Sequence, residues 1–160
     1  MRFAAHIFLG IICFWLIGCS ETKEPTPYTY TQIFTGKTSK TWKIDRVLFR
    51  ESGKTDAPLS LSSCVRDDLY IFYANTEKKF DVQNGTIACS DDTDNLLISY
   101  KWEFNQASAS LSMVMPHLFG PYFIPFTVKE AKSDKMTLEI FLDEAATISY
   151  LFEFKRVSED

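Results

Sequence analysis

Leu96-Leu97-Ile98-Ser99-Tyr100-Lys101-Trp102-Glu103-Phe104 places Leu96, Ile98, Tyr100, Trp102 and Phe104 on one side of an extended chain and Ser99, Lys101 and Glu103 on the other. Successive side chains of a strand point to opposite faces, so this run reads as a β-strand with one face in a core and one in water. The C-terminal segment repeats the pattern. Ile148, Tyr150, Phe152 and Phe154 share one face, Thr147, Ser149, Glu153 and Lys155 the other, and Leu151 is the one apolar residue on the wet side. Just before it, Met136, Leu138, Ile140 and Leu142 alternate with Thr137 and Glu139, and Asp143-Glu144-Ala145 supplies the hairpin turn.

Further runs at 41–50, 68–74, 78–83, 110–116 and 122–130 bring the number of strands to eight. Ala74-Asn75-Thr76, Asn84-Gly85, Asn105-Gln106-Ala107-Ser108, Gly120-Pro121 and Ser133-Asp134 punctuate them with turn residues, and nothing longer than a turn reads as helix. Pro116 and Pro125 predict a bulge or a sheet edge where they fall, since proline cannot donate to a ladder. The expected fold is all-β, an eight-stranded antiparallel up-and-down barrel, with a two-sheet sandwich as the alternative. Such a barrel is just wide enough to be filled by side chains or to hold one small ligand.

Upstream, one positive charge at Arg2 precedes an apolar run from Ile7 to Ile17, which gives way at once to the polar stretch from Ser20 to Glu24. The run is short of the ~20 residues a spanning helix needs and has the layout of an export signal. Leu16-Ile17-Gly18-Cys19 resembles the lipobox of bacterial lipoproteins. That resemblance implies cleavage before Cys19, acylation of its thiol, and contact with a membrane through the lipid. Ser20 resembles the outer-membrane sorting choice of Gram-negative lipoproteins, so a lipid-anchored envelope protein, periplasmic or surface-facing, is expected. The chain then divides into a signal peptide at 1–18, a lipidated tether at 19–40 containing Pro25 and Pro27, and a barrel domain at 41–160.

The net charge of −4 becomes more negative once Arg2 leaves with the signal, which argues against a nucleic-acid partner. With Cys13 removed and Cys19 carrying lipid, Cys64 and Cys89 remain, and an exported pair of this kind normally bridges. Their midpoint falls at Thr76-Glu77, in the turn between the strands at 68–74 and 78–83, so the pair faces across the base of one hairpin. Closing a loop of that length stabilises by about 3.5 kcal/mol in the chain-entropy model. A metal pair would need further Cys or His ligands, and His117 is the only histidine downstream of the signal.

Lys40-Thr41-Trp42-Lys43-Ile44, then Cys64-Val65-Arg66-Asp67-Asp68-Leu69-Tyr70-Ile71-Phe72, Phe80, Gly85, Cys89 and Trp102-Glu103-Phe104 before Leu111 resemble the lipocalin-like domain of bacterial lipoproteins. The resemblance spans about Lys40 to Val157. It implies an eight-stranded calyx and, by analogy, capture of a small apolar ligand. The chain departs from the eukaryotic lipocalin signature in having Lys40-Thr41 before Trp42, and its Met113–Pro125 stretch is unusually rich in Pro and aromatics.

Tyr70, Phe72, Phe80, Ile98, Tyr100, Trp102, Phe104, Tyr150, Phe152 and Phe154 are expected to face inward, as the lining of a cavity or as packed core, and their bulk favours the packed barrel. Trp42 and Arg156 are candidates for a cation-π pair closing the barrel bottom where first and last strands meet, with Arg46 as the rival cation. Asp67-Asp68 and the acidic run Asp91-Asp92-Thr93-Asp94-Asn95 fit no complete calcium loop and read as solvated turn residues. His117 stands in no catalytic arrangement with Ser, Cys or a second His, so no enzyme, metal or cofactor is expected. Were Pro116–Phe123 a loop, it would expose an apolar patch, and a protein partner is therefore expected at Met115–Pro125.

Overall fold

The computed structural model describes residues 29–89 and 94–160. Short helices α1 (Tyr30–Thr35), α2 (Ser63–Asp67) and α3 (Pro116–Phe119) accompany ten strands: β1 (Ser39–Glu51), β2 (Ala57–Leu59), β3 (Leu69–Tyr73), β4 (Lys79–Gln83), β5 (Leu96–Lys101), β6 (Glu103–Asn105), β7 (Ser110–Met115), β8 (Gly120–Ala131), β9 (Lys135–Phe141) and β10 (Ile148–Glu159). The sheet runs β5-β4-β3-β1-β10-β9-β8-β7-β6, every pairing antiparallel, with β2 as a side branch on β1.

β5 and β6 are the two ends of that path, yet only Trp102 separates them in the chain. The nine strands therefore form a nearly closed antiparallel barrel, and the decisive run 96–104 crosses its seam. Counted as one interrupted strand, β5 and β6 restore the expected eight. Below the break, Glu103, Phe104 and Asn105 pair with Ser112, Leu111 and Ser110; above it, β5 pairs with β4 alone.

The two longest strands, β1 and β10, make the back of the barrel, with irregularities between Thr41 and Trp42 and between Ile44 and Arg46. Such bulges let long strands curl into a closed wall. β3 leaves β1 at the Lys43–Leu69 pair, and β2 takes over the vacated edge at Val47–Phe49. Pro125 lies where β8 has a partner on β7 but has passed beyond its pairing with β9, which begins at Thr127. That is the edge position proline requires. Pro116 instead opens α3, where its missing N–H costs nothing.

The three helices are short, six, five and four residues in chain order. The domain also begins earlier than the alternation suggests: Tyr30 to Lys40, read as tether, belongs to the fold, because Phe34 and Lys40 are buried. The signal segment, Cys19 and the acidic stretch Asp91–Thr93 lie outside the described residues.

Candidate functional site

The barrel interior is the first place to look for a ligand, and side chains occupy it. Tyr70, Phe72 and Phe80 are 0% exposed, Trp102 and Phe154 1% and Phe152 2%. Rings from different strands touch: Phe72 and Phe80 have centroids 4.7 Å apart, Tyr70 and Phe154 5.5 Å, and Phe72 and Trp102 5.9 Å. Ile98, Phe104 and Tyr150 are partly buried and pack against this cluster. Burial also pushes the Tyr70 hydroxyl well above its ordinary pKa, and the neighbouring Asp68 charge adds to that.

Tyr100 departs from the expectation that it lines the interior, being 47% exposed. It sits on β5 above the break at Trp102, where no β7 residue pairs with its strand, and its ring lies 5.6 Å from Phe123. Alternation assigns a face, but a neighbour is needed to bury it.

One end of the barrel gathers α2, α3 and the loop after β4. The Cys64–Cys89 disulfide is formed, joining α2 to that loop. Asp67 and Asp68, expected as solvated turn residues, are instead 9% and 0% exposed. Lys43 bonds the Asp67 carboxylate and the Ile87 N–H donates to it at 2.8 Å; the lysine, then the backbone, hold this carboxyl below its ordinary pKa. A β-carbon on Gly85 would collide with the Asp67 carbonyl, so the Asn84-Gly85 turn admits no larger residue there. Asp68 Oδ2 lies 2.8 Å from His117 Nδ1, tying α3 to the start of β3. The histidine read as isolated is thus half of an Asp–His pair, and no spacing in the sequence links residues 68 and 117.

The run Pro116–Phe123, which would expose an apolar patch were it a loop, is instead α3 followed by the start of β8. Met115 is fully buried, and Leu118 and Phe119 turn inward onto the core, the Phe119 ring lying 6.0 Å from Phe152 and 6.2 Å from Phe126. Of the large apolar side chains in that run, Tyr122 stays clearly outside, at 69% exposure.

At the opposite end, α1 seals the barrel. A six-residue helix has no stability of its own, so what holds it must be tertiary. Phe34 is inserted against Phe72, Phe104 and Trp102. The last carbonyls of any helix lack internal partners; here Lys40 Nζ donates to Ile33 O and Trp42 Nε1 to Phe34 O, each at 2.9 Å. Gly36 ends the helix at φ +64°, and a β-carbon there would come within 2.7 Å of Glu159.

Trp42 and Arg156 are register partners, as expected of first and last strands, but they do not form the expected stack. The ammonium over the Trp42 ring is that of Lys40, at 5.5 Å. Arg156 turns to Glu159 at 2.8 Å, and the rival Arg46 pairs with Glu153 at 2.7 Å.

No family model and no curated protein matches this chain. The lipocalin-like resemblance therefore rests on the residues alone. Among the described residues, no helix is long and apolar enough to cross a membrane, and no group of three His, Cys, Asp or Glu side chains is placed to hold a metal ion.

Proposed function

We propose that this chain is a lipid-anchored lipoprotein of the bacterial envelope, acylated at Cys19, whose lipocalin-like barrel is a packed structural or protein-contact module rather than a carrier of a small apolar molecule. The observation that carries this reading is the filled interior: the inward rings of Tyr70, Phe72, Phe80, Phe152 and Phe154 are buried against one another, with Phe34 and Phe119 inserted from the two ends. Ligand pockets ordinarily offer several hundred Å3, and these side chains take up the space in which a calyx would hold one. Contacts are then left to the outside. Ile87, Leu96, Tyr122, Phe141 and Leu142 are exposed at the end away from α1, which is where a protein partner would find apolar surface.

Titration with a fluorescent apolar probe tests the packed interior. No saturable uptake and no quenching of Trp102 is the expected outcome; a stoichiometric complex that quenches Trp102 would restore the carrier reading. The anchor is checked separately by the mass of envelope-extracted protein, which should begin at an acylated Cys19.

A further inference from the structure

Nearly all the cations on this barrel are spoken for. Among the described lysines, Lys40, Lys43, Lys54, Lys79, Lys101, Lys129, Lys132, Lys135 and Lys155 each sit within ion-pair distance of a carboxylate. The two that do not, Lys37 and Lys78, line the same groove. It has a volume of about 450 Å3 and runs between α1 and the β3–β4 hairpin, with Thr31, Gln32, Asn75 and Thr76 along its walls and no acidic residue among those lining it. The Asn75 side-chain oxygen already accepts from the Lys79 N–H at 2.8 Å, which leaves its amide hydrogens to donate. The groove thus offers two ammonium groups, hydroxyls and amides to an incoming ligand, and no anion.

Lys78 carries a second peculiarity. Its φ is +53°, a conformation that L side chains rarely adopt and that glycine or asparagine would take more easily. In this geometry its carbonyl accepts the Trp102 backbone N–H at 2.9 Å while its ammonium lies 5.5 Å over the Trp102 ring. The same turn conformation recurs at Ala109 and Ala146, so here it fixes where the ammonium sits rather than marking it as used.

From these observations we infer that the groove binds the phosphate of an anionic phospholipid headgroup in the membrane to which the chain is anchored. The inference rests on the lipid anchor at Cys19. Eleven residue steps lead from Cys19 to Tyr30, so the start of the α1 wall of the groove cannot be more than about 40 Å from Cys19. A protein of negative net charge is repelled by an anionic bilayer except through a face without carboxylates. No carboxylate lines this groove: Glu159 beside Gly36 is paired with Lys40 and Arg156, Glu77 lines the neighbouring groove, and the groove lies at the end where the tether arrives.

The test uses the unlipidated chain from Ser20 onward, which contains the whole buried cluster of the described residues, Phe34 to Phe154. Sedimentation with vesicles of phosphatidylcholine, with and without an equal part of phosphatidylglycerol, is compared for the parent, for Lys37→Gln/Lys78→Gln, and for the control Lys54→Gln/Lys132→Gln. Binding to the anionic vesicles should weaken about 25-fold in the first variant, roughly fivefold for each charge removed near the surface, and little in the control. Inorganic phosphate should compete and should shift the Trp102 indole resonance of the parent. An equal loss in the control would mean diffuse attraction and overturn the site. A phosphate-induced shift without vesicle binding would assign the groove to a soluble phosphate ester and overturn the lipid source, and no response to either probe would overturn both. Absence of acyl chains on Cys19 in the extracted protein would remove the anchor while leaving the vesicle result standing.

Discussion

The two ends of the barrel are closed by different chemistry. At the α1 end the seal is an aromatic plug, Phe34, with the helix carbonyls taken up by Lys40 and Trp42. At the α3 end the seal is a covalent bond between Cys64 and Cys89, an Asp68–His117 pair and a lid of Leu118 and Phe119. The difference follows from how the chain reaches each end. α1 is joined to β1 by a short connection, so one inserted ring with the bonds from Lys40 and Trp42 holds it without a covalent link. The α3 end brings together three segments distant in sequence, and cross-links shrink the entropy of gathering them.

Breaking the plug should have the largest effect. Phe34→Ala removes a fully buried ring and should lower unfolding stability by about 3–5 kcal/mol, seen as a reduced denaturant midpoint without a change in slope. Opening the opposite seal by Cys64→Ser/Cys89→Ser, or by reductant, should cost about 3.5 kcal/mol through the larger unfolded ensemble. A disulfide loss much larger than the plug loss would reverse the assignment of the main closure. A double-mutant cycle between Asp68→Asn and His117→Gln should give a coupling of about 1–2 kcal/mol; strict additivity would detach the Asp–His pair from the α3 seal.

Acid should not discriminate between the ends, because each carries a depressed carboxyl. Asp67 is lowered first by its bond from Lys43 and then by the Ile87 N–H, and Glu159 by Lys40 and then Arg156. A carboxyl depressed on folding contributes stability that is full above its unfolded pKa and lost as pH falls through the folded value. The melting temperature should therefore hold level above about pH 5 and fall below about pH 4, with Asp67→Asn flattening part of that fall. The smallest effect belongs to the outer rim of the α1 end. Arg156→Gln should change stability by no more than about 0.5 kcal/mol, as exposed pairs do, and a cost matching that of Lys40→Gln would bring back the Trp42–Arg156 stack.

Much of the wall was legible in the sequence. The alternation from Leu96 to Phe104, from Met136 to Leu142 and from Ile148 to Phe154 located strands, because a two-residue period is a local property of extended backbone, but not burial: Leu96 and Leu142 are exposed, while Thr137, Glu139, Ser149 and Glu153 are buried. The cysteine pair was legible too, since its midpoint fell in the turn that the neighbouring strands already implied. The exposure of Tyr100 was not, because it depends on whether β7 stays beside β5 beyond Trp102. Asp68 and His117 gave no sign of each other, and Lys40 and Arg156 were equal claimants for Trp42.

By itself, then, the sequence determined an all-β chain with an inward aromatic face and one cross-link, all of which follow from residue type and short spacing. Only the tertiary structure decided what closes each end and which lysines are left without a carboxylate. Those outcomes depend on side chains that meet across the barrel's ends after the strands have paired, and no local pattern carries that information. Phe34 is the clearest case: in sequence it sits in a polar, threonine-rich lead-in, and it becomes core because the open end of the barrel beneath it would otherwise expose Phe72 and Trp102.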